Sequence, residues 1–181
     1  MQTQLSVDSS QLVNTLRHAF TKRSNVLGEL MQNSRRAKAS KIAFTLDGQN
    51  LTIEDDGCGI DNFSELLTVA SSGWDLETMN QESPFGLGFL AAIYSCAHIR
   101  IDSNQQSFEC DTKDLLALKP VEICPSSTFR GTKIKLSNID YPIKTLESDI
   151  TTLVRGFPIP VFLNGEELFR PDCVNGSFTF Q

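Results

Sequence analysis

Apolar positions along this chain fall first at helical spacing and then at strand spacing. Leu12, Val13, Leu16, Ala19 and Phe20 form a stripe behind Asp8-Ser9-Ser10, a group able to cap a helix. A second helix is predicted from about residue 24 to 39, with Val26, Leu27, Leu30 and Met31 on one face. The rhythm then changes. Residues 42–46 and 51–54 are apolar and β-branched and flank Asp47-Gly48, which predicts a hairpin. Residues 63–70 return to helical spacing, and 86–96, small and apolar, read as a buried helix. Between them, residues 71–84 are polar and aperiodic, a length that usually marks a functional loop. From His98 the pattern is mostly strands, at 98–102, 107–111, 121–123 and 132–136. A helix over 146–155 and a hairpin of 161–163 with 166–169 around Asn164-Gly165 complete the pattern. Without a regular βαβ alternation, this predicts an α+β fold. It is a two-layer sandwich, a mixed and mostly antiparallel sheet with helices on one face, formed by residues 1–181 as a single domain.

Composition narrows the function classes. The chain has 181 residues, 40% of them hydrophobic, enough for a full core. A net charge of −6 leaves no general basic footprint for nucleic acid. Arg35, Arg36, Lys38 and Lys41 form the one dense basic cluster, read as a helix end in preference to a phosphate contact. The five cysteines are odd in number and never fall as Cys-x-x-Cys, against both zinc and a disulfide framework. No signal segment opens the chain and no apolar run would span a bilayer, so a cytoplasmic, reduced protein without membrane partners is expected.

Four short patterns carry the candidate chemistry. Glu29 and Asn33, spaced i, i+4, project from one side of a helix whose flanks are apolar, so an inward carboxylate and amide are expected to serve each other or a ligand. An amide oxygen suits Mg²⁺, and a carboxylate one turn away can orient a water. Asp55-x-Gly57-x-Gly59 follows a strand, and its two glycines suggest a backbone approached closely by something else. Gly86-x-Gly88 opens a helix whose free N–H groups can hold phosphate oxygens, although no strand precedes it as a dinucleotide fingerprint requires. Arg130-Gly131-Thr132 begins a strand.

In this order, "ELMQNSRRA", "EDDGCGI", "SPFGLGF" and "RGTKIKL" resemble the motifs of the Bergerat-fold ATPases, the GHKL superfamily. "FPIPVFLNGEEL" is similar to the strand pair closing the fold in its chaperone and MutL branches, so the resemblance runs over nearly the whole chain. It implies that Asp55 accepts a hydrogen bond from the adenine amino group, with Thr132 supporting the same edge. Asn33 would ligate Mg²⁺ and Glu29 would be the catalytic residue that positions the attacking water. Gly57, Gly59 and Ile60 would surround the base. Ser71 and Ser72 would begin an ATP lid over about 71–85, and Phe85, Gly86, Leu87, Gly88 and Phe89 would meet the phosphates.

The implied function is an ATP-Mg²⁺-binding switch with slow hydrolysis, acting through a homodimer, a downstream domain or a partner protein. The alternatives are a histidine or serine kinase catalytic domain and a non-hydrolysing nucleotide-sensing module. Two departures bear on this choice. Arg36 stands where the family usually has an aspartate, and Ser83 where a further glycine is common. The segment "FRPDCVNGSFTFQ" reads like a strand beginning something further. His18 and His98 read as structural, and Cys58 as inert.

Overall fold

The computed structural model describes residues 9–16, 24–68, 88–127 and 130–173. Its elements are α1 (Ser9–Leu16), α2 (Ser24–Arg36), β1 (Ile42–Asp47), β2 (Asn50–Asp55), α3 (Phe63–Leu66), α4 (Gly88–Ser95) and β3 (Cys96–Ser103). Then come β4 (Gln106–Asp111), α5 (Thr112–Leu116), β5 (Cys124–Pro125), β6 (Thr132–Ile139), α6 (Ile143–Val154), β7 (Val161–Leu163) and β8 (Glu166–Glu167). The strands form one sheet in the order β5-β4-β3-β6-β2-β1-β7-β8. Every neighbouring pair is antiparallel except β1 with β7. This is the α+β arrangement expected from the pattern.

Turn chemistry sets the registers. Asp47 faces Asn50 across β1 and β2, leaving Gly48-Gln49 as the loop, with Gly48 at φ +55. Ser103 faces Gln106, and the two loop residues Asn104 and Gln105 both take positive φ, the tight hairpin turn whose twist matches that of the strands. Asn164-Gly165 joins β7 to β8 in the same way. Helix α2 ends in a Schellman cap: Lys38 sits at φ +57, its N–H donates to Arg35 O, and Ala39 N–H donates to Ser34 O. Arg35 and Arg36 occupy the last turn, where cations complement the helix dipole, and Lys38 and Lys41 lie beyond it.

Strand alternation decides what is buried. In β2, Leu51, Ile53 and Asp55 point to the core while Thr52 and Glu54 do not. Leu51 and Ile53 join Phe44, Ile99, Ile101, Phe108 and Leu136 in one apolar cluster with Leu27, Leu30 and Met31 of α2 and Ile150 and Val154 of α6. Phe63 packs edge-on to Phe108, ring centroids 5.7 Å apart. Asp55 therefore stands in a row that is otherwise core.

Several boundaries differ from the expected ones. The helix expected at 63–70 is described only over Phe63–Leu66. Helix α5 was not anticipated, because five residues are too few to show a period, and the strand expected at 121–123 lies at Cys124–Pro125. Helix α6 starts earlier than expected, directly after Pro142, which N-caps it with extended backbone. Residues 69–87, which hold the expected lid, and 174–181 lie outside the described residues, as does His18. Cys58, Cys96, Cys110 and Cys124 form no disulfide, and no helix of the described residues is long and apolar enough to cross a membrane.

The outward face of β3 and β4 carries charge. Arg100 grips Asp102 through Nε and Nη2, both at 2.7 Å, and reaches Glu109 at 2.9 Å. His98 lies 3.1 Å from Asp111 and 3.0 Å from Glu109, and Asp111 first, then Glu109, raises its pKa despite an opposing effect of burial. The stability this pairing lends is full below about pH 6.5, the ordinary histidine value, and is lost as pH rises through the raised one. The carboxylates are about half exposed, so the effect is small. His98→Gln is expected to flatten the fall in melting temperature between about pH 6 and pH 8. An unchanged slope in thermal melts would assign the titration to another group.

Candidate functional site

The site is built where β2 runs out. Asp55 is only 8% exposed, and two donors hold its carboxylate. Gly57 N–H donates to Oδ1 at 2.9 Å and the Ser34 hydroxyl donates to Oδ2 at 2.9 Å. Burial pushes the Asp55 carboxyl above its ordinary value, and the neighbouring Gly57, Ser34 and Thr132 groups pull the other way without reversing it. A carboxylate offers about four lone-pair positions. With two donors bonded from the chain, acceptor capacity remains for a donor from a ligand.

Thr132 faces Asp55 across β2 and β6, and its hydroxyl lies 3.4 Å from Ser103 Oγ. Ser103 is fully buried and ties the site together. Its hydroxyl donates to Gly131 O at 2.7 Å and accepts from Ile60 N–H at 2.8 Å. Asp56 points away from this cluster. Burial works against its ionisation, but the Ser40 hydroxyl and the N–H groups of Ser40 and Lys41 outweigh it and hold its pKa below the ordinary value.

The glycines have partners within the protein. A Cβ on Gly57 would sit 2.7 Å from both Cβ and O of Ala37, at the end of α2, where Cys58 N–H already donates to Ala37 O. Gly59 takes φ +78, and the place of its Cβ is filled by the Asn104 amide. That amide donates to Cys58 O at 3.0 Å and to Asp61 Oδ1 at 2.7 Å. The close approach read from the spacing is thus made by Ala37 and Asn104, which brace the turn from opposite sides.

Helix α2 delivers Ser34 to Asp55 and places Asn33 one residue earlier. Asn33 is half-buried, whereas Glu29 is exposed, at the edge of the stripe formed by Val26, Leu30 and Ala37. The expected inward carboxylate is corrected accordingly: helical spacing aligns Glu29 with Asn33, but the packing of α2 leaves the earlier turn open to solvent. Arg36 Nη1 donates to Asn33 Oδ1 at 3.1 Å. A divalent ion on that oxygen would share it with a guanidinium, and the two cations repel. Among the described residues no group of three His, Cys, Asp or Glu gathers as a cation site. These residues do not fit a Mg²⁺ held by Asn33.

The structure therefore brings Asp55, Thr132, Gly57, Gly59 and Ile60 together with Asn33 nearby, and leaves Glu29 at the surface. Gly88 begins α4, and Phe89 is buried in the core. Ser71, Ser72, Phe85, Gly86 and Leu87 lie outside the described residues. Ser34, Ser103 and Asn104 were missed by sequence reasoning. Only the position of Ser34, four residues after the apolar Leu30 on the same helix face, hinted at burial.

Residues 21–128 match the family described as "Histidine kinase-, DNA gyrase B-, and HSP90-like ATPase". The match covers α2 to β5 and thus Asn33, Asp55 and the glycine turn, while the sheet continues beyond it through β6 to β8. No curated protein matches the chain.

Proposed function

Since the chain belongs to the histidine kinase-, DNA gyrase B- and HSP90-like ATPases, we propose that it binds an adenine nucleotide at Asp55 and acts as a slow ATP-driven conformational or dimerisation switch. The observation carrying this reading is the buried Asp55 carboxylate, held by Ser34 and Gly57 with acceptor capacity left over. Adenine presents an amino group to such an acceptor. Guanine presents a carbonyl at the same place, and two acceptors face to face leave a buried group unsatisfied. Thr132 stands beside Asp55 to support the same base edge. The β7–β8 pair, laid against β1, supports the chaperone-like and MutL-like branch over a protein kinase.

Slow turnover is part of this proposal and rests on the residue that would act at the phosphates. Phosphoryl transfer is driven by positioning and by fixed positive charge at the departing group, in a site that excludes water. Glu29, the residue proposed to orient the attacking water, is exposed. The purified chain is therefore expected to turn over ATP well below about 10 s⁻¹, an ordinary enzyme's median. Glu29→Ala should abolish what remains and leave nucleotide affinity nearly unchanged. Turnover near that median, or full activity in the variant, would overturn the slow-switch reading.

A further inference from the structure

We infer that Arg36 takes over the charge-compensating role at the phosphate end of this site, so that adenine nucleotides bind this chain without a divalent cation. The inference rests on the nucleotide-binding reading above. Its own ground is the contact between Arg36 Nη1 and Asn33 Oδ1, 3.1 Å long, on the last turn of α2. One lone pair of the amide oxygen that the resemblance assigns to Mg²⁺ is already taken by a cation built into the chain.

Three properties of the pair bear on the outcome. The guanidinium is charged at every pH a protein meets and is only weakly hydrated, so it can stand beside phosphate without the dehydration that Mg²⁺ resists. Its planar fork of donors matches phosphate oxygens, which a point charge does not. Its place is also fixed. Asn33 and Arg36 are three residues apart on one helix face, and Ser34 between them is locked onto Asp55 at 2.9 Å. The positive charge is thus tied to the residue that reads the base. An acidic residue at position 36 would leave Asn33 Oδ1 free and add negative charge, which suits a divalent ion. Arginine does the reverse on both counts.

The test compares equilibrium titrations of the full chain with ADP and ATP in EDTA and in excess Mg²⁺, alongside Arg36→Ala and Arg36→Asp. The wild type is expected to bind within about twofold in the two conditions. Arg36→Ala should lose roughly tenfold in EDTA, and Arg36→Asp should bind at least tenfold better with Mg²⁺ than without. The wild-type comparison needs no variant, so misfolding cannot mask it. Affinity that collapses at least tenfold in EDTA would overturn the inference while leaving adenine binding intact. Absence of binding in both conditions would overturn the nucleotide reading, and this inference with it.

Discussion

Asp55→Asn is expected to weaken ATP binding by about 10- to 100-fold while the protein stays folded. Hydrogen bonds to a charged group contribute about 1.5–3 kcal/mol, and roughly 1.4 kcal/mol is a factor of ten. The asparagine oxygen still accepts from Gly57 N–H, and its amide can donate to Ser34 Oγ. Ser34 keeps its alternative acceptor, Leu30 O at 3.2 Å. What asparagine cannot do is accept a further donor on the side now carrying NH₂, so the adenine amino group would meet another donor. Stability should move little. Because burial raises the Asp55 pKa, its stabilising contribution is full below the ordinary carboxylate range and is lost as pH rises through the raised value. At neutral pH a neutral replacement should therefore hold or slightly raise the melting temperature. Loss of ATP affinity together with a collapsed melting temperature would make Asp55 a structural residue only.

Gly131→Ala is expected to destabilise the chain by about 3 kcal/mol or more, read as a lowered midpoint in urea unfolding. Two independent costs meet there. Gly131 sits at φ +105, a backbone region that side chains disfavour, and an added Cβ would collide with the Asp55 carbonyl oxygen. That oxygen belongs to the end of β2 and cannot swing aside as a flexible side chain would. Gly165→Ala is the control: φ is +89, but nothing lies within 4 Å of the added Cβ, so only the backbone cost of roughly 1 kcal/mol applies. Equal losses in the two variants would show that the collision is relieved and that Gly131 does not brace the site.

The parts legible in the sequence are those fixed by local rules. Alternation in β2 follows from the period of two, so an acid four residues after Leu51 had to share its core-facing row. The Asn164-Gly165 turn and the basic end of α2 were likewise readable from a few adjacent residues. The groups that hold Asp55 and the glycine turn were not, because their partners are distant in the chain. Ser34 meets Asp55 across 21 positions, Ser103 meets Ile60 across 43, and Asn104 meets Cys58 across 46. A lone serine or asparagine in a strand or turn gives no sign of such pairing. Glu29 shows the same limit from the other side: i, i+4 spacing aligns two side chains, but the depth of burial depends on how α2 docks. Gly57 and Gly59 were correctly read as close approaches, yet the approaching groups are on α2 and the β3–β4 turn.

Adenine recognition by Asp55 is tested most directly by calorimetric titration of the purified chain with ATP and with GTP under identical conditions. Measurable ATP binding with GTP at least about tenfold weaker is the predicted result, since one unpaired buried acceptor costs about 1–3 kcal/mol. Equal affinities, or no heat with either nucleotide, would contradict it.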